Sequence, residues 1–352
     1  MSTSKPGPIE RHLVYEKTID EKGIWLADVD GRRPRLLAPD GQLPGISPDG
    51  KWVAFGVDCY ASGTSCAKAF VVSNEPGAKS RLLAERMGWT KTWSPDSKAI
   101  VATRPLSEAV DALVRIDVAS GEAATLARGQ FWGWSFSPAG RRIVFALAHG
   151  NDPRSVTGKK IDLYVTDLDG RGDPTQLTDT GESMYPVWGP KSIAFGKEIS
   201  CFGPSGGLRP VHEAARDGCF NDTWGRGEIW RIQADGTGRT PITGPLPERF
   251  QAQGCVGLKP VDWSEDGRAL LGAWWCEFRD PPVAVDPETG TISDLSWAAS
   301  TVGLSRDGRF ALVHEDTGPE TPPEKNSVLI VPYAGGKSKL VARGATAPSW
   351  NR

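Results

Sequence analysis

The chain has 352 residues, a formal net charge of −2 and a hydrophobic fraction of 39%. A nearly neutral composition gives no basic footprint for nucleic acid, and no apolar run reaches the roughly 18 residues that a transmembrane helix needs. The 41 glycines and 28 prolines are typical of a chain that turns every eight to twelve residues or so, which favours an all-β fold.

The N-terminal segment predicts a loose leader followed by an incomplete sheet. Residues 1–10 contain two prolines and little to bury, so we expect them to be flexible. Residues 13–17, 24–29 and 35–38 then read as the second, third and fourth strands of a four-stranded unit whose first strand is missing.

A short motif recurs along the rest of the chain. In its clearest copy Ser94-Pro95-Asp96 forms a turn between Trp93 and the β-branched pair Ile100-Val101, which predicts a strand, a tight turn and a second strand. Further copies centre on Ser47, Ser137, Gly189, Ser264 and Ser305. The steps between copies are 47, 43, 52, 75 and 41 residues, a period that is typical of β-propeller blades.

The C-terminal residues supply the missing strand. Residues 346–350 resemble a first, inner strand that stops where the turn would begin. We therefore expect this strand to join the N-terminal blade, which removes the open edges of a linear array. Inner strands are then predicted at seven places: 43–47, 90–94, 131–137, 184–189, 260–264, 301–305 and 346–350.

The repeated Trp-Ser-Pro-Asp-Gly-Lys pattern resembles the TolB-type, WD-like propeller repeat over residues 11 to 352. The resemblance implies an all-β, seven-bladed β-propeller of four-stranded antiparallel blades that forms a single domain, residues 11–352. The best-known TolB propellers have six blades, so six is the alternative. The family includes partner-binding scaffolds, enzyme domains and accessory modules, so the resemblance gives almost no information on function.

Six cysteines fall into three pairs that are close in sequence: Cys59 with Cys66, Cys201 with Cys219, and Cys255 with Cys276. We expect three local disulfides and hence an oxidising compartment, periplasmic or secreted, although residues 1–9 contain no hydrophobic signal region. The alternative is free core thiols in a cytosolic protein.

In the propeller interpretation the long, irregular segments share the face opposite to the Ser-Pro-Asp turns, and loops on a rigid scaffold are common binding sites. We expect binding residues there: Asp58, Arg154, Lys197, Arg209, His212, Asp222, Trp224, Arg226, Trp275, Arg279 and His314. Propeller lyases of the oligogalacturonate type hold a metal with several histidines. His149, His212 and His314 are weak metal candidates here, because their spacing matches no ligand motif.

No phosphate-binding loop or calcium loop is present, and we expect no catalytic residues and no cofactor. The sequence favours a monomeric, non-catalytic scaffold that binds a protein or peptide and no nucleic acid. The alternative is a carbohydrate-active lyase or hydrolase that uses the central funnel for a carbohydrate or other small molecule. A third possibility is a sensor domain of a longer membrane protein.

Overall fold

The computed structural model describes residues 12–59, 65–88, 90–107, 109–151, 159–199, 226–244, 255–276, 280–315 and 323–351. Within these ranges the chain forms β-strands and one short 3-10 helix, Pro323–Lys325. No helix in them is long and apolar enough to cross a membrane. The predicted leader, residues 1–10, lies outside the described residues.

The chain divides into two compact units. Unit 1 contains residues 1–105, 116–123 and 302–352, and unit 2 contains residues 106–115 and 124–301.

Unit 1 holds three four-stranded sheets, with strand orders β27-β1-β2-β3, β4-β5-β6-β7 and β23-β24-β25-β26, and the strand pair β8-β9. Their bounds are β1 His12–Lys17, β2 Gly23–Asp28, β3 Arg35–Ala38, β4 Gln42–Ile46, β5 Trp52–Val57, β6 Ser65–Ser73, β7 Arg81–Gly88, β8 Lys91–Trp93, β9 Ala99–Pro105, β23 Ala299–Leu304, β24 Phe310–Glu315, β25 Ser327–Pro332, β26 Lys339–Arg343 and β27 Ala345–Trp350.

Unit 2 holds the strand series β11-β12-β13-β14, β15-β16-β17-β18 and β19-β20-β21-β22. Strand β10, Asp111–Asp117, has residues in both units. The other bounds are β11 Ala123–Phe136, β12 Arg142–Asn151, β13 Lys159–Asp167, β14 Thr175–Gln176, β15 Ser183–Trp188, β16 Ile193–Ile199, β17 Arg226–Ile232, β18 Thr240–Pro241, β19 Cys255–Trp263, β20 Leu270–Cys276, β21 Pro282–Val285 and β22 Ile292–Asp294.

The C-terminal strand completes the N-terminal sheet, as the sequence predicts. Strand β27 runs antiparallel to β1 and places Trp350 opposite Leu13. The backbone N–H of His12 donates to Asn351 Oδ1 at 2.8 Å. Trp350 and Leu13 are both buried in a core cluster with Tyr15 and Leu312. The two ends of the chain are thus held in one sheet of unit 1.

The repeated turn is built on a buried serine. The Ser264 hydroxyl donates to Asp266 Oδ1 at 2.7 Å and accepts from the Ala269 N–H at 2.9 Å. The backbone closes the same turn, since Gly267 N–H donates to the Ser264 carbonyl at 3.0 Å. Equivalent serine–aspartate contacts recur at Ser47, Ser94 and Ser305. This geometry explains why the motif needs serine two residues before aspartate.

The tryptophan before the turn contacts the preceding sheet. Trp93 Nε1 donates to the Gly45 carbonyl at 2.9 Å, and Trp263 Nε1 donates to the Val187 carbonyl at 3.2 Å. Both acceptors lie two residues before the position that opens the previous turn. The indole is therefore both a core side chain and a polar link between sequential inner strands.

Four of the inner strands share a bulge. Leu43, Gly133, Tyr185 and Ala347 each lie four residues before the turn-opening position, and their φ angles are +52°, +102°, +51° and +45°. The strand register shifts beside each of them. A β-bulge leaves one residue unpaired and redirects its side chain. The left-handed conformation of Tyr185 is therefore a repeated feature of the fold.

Two of the three predicted disulfides are confirmed. Cys59 is bonded to Cys66 and Cys255 to Cys276. The second joins paired positions of β19 and β20. Cys201 and Cys219 lie outside the described residues.

The turn geometry predicts that Ser264→Ala is destabilising. The change removes the acceptor of the buried Ala269 N–H and the donor to Asp266, so we expect a loss of about 1–3 kcal/mol in the free energy of unfolding. Urea unfolding monitored by tryptophan fluorescence would measure it. Ser293→Ala, at an exposed position of β22, is the control and should change stability by less than about 0.5 kcal/mol. Equal stability of the two variants would contradict the turn's role.

The same turns predict a loss of stability in acid. The Arg268 N–H and the Ser264 hydroxyl hold the pKa of Asp266 below its usual value. Burial opposes this shift at Asp307, but hydrogen bonds outweigh it there. A carboxyl whose pKa is lower in the folded state stabilises the fold above its unfolded pKa, near about 3.9, and that contribution is lost as the pH falls through the folded pKa. Urea unfolding between about pH 5 and pH 3 should therefore show falling stability, with a shallower slope in Asp266→Asn.

Candidate functional site

Some of the predicted binding residues lie within the described ranges, and the others lie outside them. Asp58 and His314 lie in unit 1, and Lys197 and Trp275 lie in unit 2. Arg226 begins β17, where its backbone alone is described. The remaining predicted residues are outside the described ranges: Arg154, Arg209, His212, Asp222, Trp224 and Arg279. The described part of unit 2 brings Trp275 together with residues that the sequence did not single out as binding residues.

Three half-buried aromatic rings meet in unit 2. The ring of Tyr185 makes T-shaped contacts with Trp132 at 6.3 Å and with Trp275 at 5.7 Å between centroids. Trp274, next in sequence to Trp275, is by contrast completely buried. In a T-shaped pair the ring that presents its edge keeps its own faces clear of the partner. The three rings thus form an aromatic cluster that remains partly accessible.

A lysine–carboxylate pair adjoins the aromatic cluster. Lys259 Nζ lies 5.0 Å from the centroid of the Tyr185 ring and 2.8 Å from Asp280 Oδ2. The Lys259 side chain is 18% exposed and that of Asp280 is 36% exposed. An ammonium group has three N–H donors, and Asp280 accepts from one of them. We call Trp132, Tyr185, Lys259, Trp275 and Asp280 the Tyr185 site.

The surroundings of Tyr185 keep its phenol protonated. Burial raises the pKa of the Tyr185 hydroxyl above its usual value, and the carboxylates of Asp280 and Glu198 raise it further. A phenol with a raised pKa donates a hydrogen bond at neutral pH and does not act as a base. The Tyr185 site therefore offers two kinds of donor, a phenol and an ammonium group, beside apolar ring faces.

The inner-strand bulge positions the Tyr185 ring. Pro186 follows Tyr185 and has no N–H to donate to a strand neighbour, which suits it to a bulge. A Cβ atom added at Gly133, the equivalent position of β11, would lie 3.2 Å from the Tyr185 Cα. Gly133 thus permits the close approach of β11 to β15 that brings Trp132 to Tyr185.

Lys197 lies in a separate group of contacts. Its Nζ is 4.5 Å from the centroid of the Trp230 ring and 3.9 Å from Glu182 Oε2. Trp230 also receives the guanidinium of Arg239, 5.5 Å from its centroid. Lys197 therefore contacts Trp230 and not Trp275, and it stays a predicted binding residue outside the Tyr185 site.

The described residues do not fit a histidine metal site. They contain no group of three histidine, cysteine, aspartate or glutamate side chains that could hold an ion. His149 Nε2 lies 2.7 Å from Asp162 Oδ2, His212 is outside the described residues, and His314 belongs to unit 1.

The residues missed by sequence reasoning left weak signals. Lys259 and Asp280 are separated by 21 positions, so no local motif connects them. Tyr185-Pro186 lies just before the irregular turn at Trp188-Gly189, and the same residue-proline step precedes the turns after Leu43 and Ala347. That recurrence was the one local signal for the bulge that positions Tyr185.

Comparison with solved structures identifies the fold. Oligogalacturonate lyase from Vibrio parahaemolyticus matches with a TM-score of 0.58 and 14% identity, over 95% of this chain and 85% of that one. A puromycin hydrolase matches with a TM-score of 0.61 and 14% identity, over 97% of this chain and 53% of that one. TolB from Acinetobacter baumannii matches with a TM-score of 0.52 and 14% identity, over 96% and 81%. The fold is that of the TolB-like β-propellers.

No family model and no curated protein matches the chain. The structural matches nevertheless correct one prediction. The chain was expected to be a non-catalytic scaffold for a protein or peptide, yet the structures that share its fold include a lyase and a hydrolase. That prediction is contradicted, and the alternative, an enzyme, is the better supported interpretation.

The Tyr185 site makes a testable electrostatic prediction. Asp280→Asn removes one carboxylate that raises the pKa of the Tyr185 hydroxyl, so we expect that pKa to fall while burial keeps it above the usual value. Ultraviolet titration of the five tyrosines, with Tyr185→Phe to assign the signal, would measure the change. Asp173→Asn, at an exposed turn, is the control. An unchanged titration in Asp280→Asn would contradict the effect of the Asp280 carboxylate on the Tyr185 hydroxyl.

Proposed function

We propose that the chain is a carbohydrate-active enzyme, a lyase that acts on an oligosaccharide containing uronic acids, and that the Tyr185 site binds this substrate. The observation that carries the proposal is Lys259, held 2.8 Å from Asp280 and 5.0 Å from the Tyr185 ring centroid, beside two further half-buried rings. Aromatic faces pack on the C–H faces of sugar rings, and an oriented ammonium can receive a hydroxyl or carboxylate.

Coverage favours a lyase over a hydrolase of the puromycin type. The match to oligogalacturonate lyase spans 85% of that chain, whereas the match to puromycin hydrolase spans 53% of that protein. Nearly half of the hydrolase therefore has no counterpart in this alignment. The segment Gly203-Pro204-Ser205-Gly206-Gly207 matches the Gly-Xaa-Ser-Xaa-Gly pattern of hydrolases but lies outside the described residues, so the preference for a lyase rests on the coverage.

The proposal also includes the number of blades and the location of the protein. We infer that residues 11–352 form one domain of seven blades. Seven inner strands support this count: six belong to the four-stranded series described above, and the seventh is β8 of the pair β8-β9. The two disulfides support a periplasmic or secreted location.

The experiment is an elimination assay on polygalacturonate and its oligomers, followed by the ultraviolet absorbance of the unsaturated product. We expect activity in the parent protein. Trp275→Ala and Lys259→Ala should each raise KM about tenfold, since a lost contact of about 1.4 kcal/mol changes affinity by that factor.

Lys17→Ala is the matched control. Lys17 Nζ also lies over an aromatic ring, 4.2 Å from the centroid of Trp25, but in a sheet of unit 1. Its removal should leave KM unchanged. Equal effects of Lys17→Ala and Lys259→Ala on KM, or no product from any uronate substrate, would contradict the proposal.

A further inference from the structure

A further bulge in unit 2, in strand β12, directs a histidine toward a buried carboxylate. Strand β12 pairs with β13 through Ala148 opposite Ile161 and Gly150 opposite Lys160, so His149 is the extra, unpaired residue. Bulges redirect side chains and are frequent beside active sites. Here His149 Nε2 lies 2.7 Å from Asp162 Oδ2. The His149 side chain is 36% exposed, whereas that of Asp162 is completely buried.

The carboxylate of Asp162 is held rigidly. The Thr178 hydroxyl donates to Asp162 Oδ1 at 2.7 Å, and the Gly181 N–H lies 3.1 Å from both carboxylate oxygens. A carboxylate accepts, so the Thr178 hydroxyl is the donor to Asp162, and its oxygen in turn accepts from the Leu163 N–H at 2.9 Å. A buried carboxylate with these donors can stabilise a positive charge on the one ring that touches it.

The neighbouring series of strands shows that the scaffold does not require this pair. Thr243 repeats the role of Thr178, since its hydroxyl accepts from the Ile229 N–H at 3.0 Å. The strand register places Glu228 where Asp162 lies. Glu228 instead accepts from Trp230 Nε1 at 3.0 Å. Strand β16 has no bulge at this place, since Glu198 pairs with Gly227 and Ile199 with Arg226, so no residue corresponds to His149. The threonine contact belongs to the fold, and the histidine–aspartate contact is specific to β12 and β13.

We propose that His149 and Asp162 are the proton-transfer pair of this enzyme, an inference that rests on the proposed lyase function. With Nε2–H donating to Asp162, the lone pair of a neutral imidazole lies on Nδ1, which is then the base. Nδ1 takes the proton α to the uronate carboxyl, and the C–H electron pair forms the C=C bond. The β C–O bond breaks, and the leaving oxygen takes a proton from water. Asp162 stabilises the imidazolium that results.

Several charged groups lie on the strand and turn segments that adjoin His149. Lys159, Lys160 and Asp162 lie on β13, and Asp179 and Glu182 lie in the segment that precedes β15. Lys160 is the closest cation by sequence register, because it pairs with Gly150 beside His149. The pH profile of kcat therefore reports on His149 only by comparison between the parent and a His149 variant.

The test compares His149→Gln and His149→Ala with the parent in the elimination assay. The glutamine amide can still donate to Asp162 but cannot act as a base, so it separates proton transfer from folding. We expect kcat to fall about 100-fold or more in both variants with KM unchanged, and the rising acid limb of the kcat profile to disappear. Asp162→Asn should also lower kcat. Glu228→Gln, the same change at the equivalent position of the next series, should leave kcat unchanged.

A second measurement is independent of activity. The chain has four histidines, so the ring nitrogens of His149 can be assigned by ¹⁵N NMR with His149→Gln as the reference. The proton of the neutral ring should be on Nε2, and a proton on Nδ1 would overturn the inference. Parent-like kcat in His149→Gln would overturn the inference alone. A parent protein that eliminates no uronate substrate would overturn the proposed function and the inference with it.

Discussion

The hydrogen bonds of the turn serines are the constraint on which the other features depend. In four of the turns the serine hydroxyl makes two hydrogen bonds, as in Ser94, which donates to Asp96 at 2.6 Å and accepts from the Ala99 N–H at 2.9 Å. This double use fixes where one strand ends and the next begins. The residue before the serine is thereby fixed as well, which lets Trp93 reach a carbonyl of the preceding inner strand. One buried hydroxyl thus sets both the hairpin and its contact with a neighbour.

The sequence predicted those features whose causes are local. The repeated turn, the pairing of the C-terminal strand with β1, and the Cys59–Cys66 and Cys255–Cys276 disulfides follow from nearby residues or from the repeat itself. Of the Tyr185 site only Trp275 was predicted as a binding residue, because a bulge alters the alternation of inward and outward side chains by one residue. The contact between Lys259 and Asp280 depends on the packing of separate segments, which no short pattern encodes.

The Tyr185 site and the His149–Asp162 pair, both in unit 2, differ in chemical character. At the Tyr185 site, burial and nearby carboxylates favour the protonated phenol, so this site supplies donors. At His149, the ring lies 2.7 Å from a buried carboxylate, and the proposed role of this pair is proton transfer. Donors that recognise a substrate and a base that reacts with it require opposite proton affinities. The fold separates them by using two bulges, one in an inner strand and one in a second strand.

The pairing of β27 with β1 also determines the order of assembly. The N–H of His12 and the side chain of Asn351 are 339 positions apart in sequence. The entropy of closing a loop grows only with the logarithm of its length, so this closure costs little more than a much shorter one. Its kinetic consequence is larger. During synthesis the edge of β1 stays unpaired until β27 leaves the ribosome, so this sheet is completed only after the strands between β3 and β27 have been made.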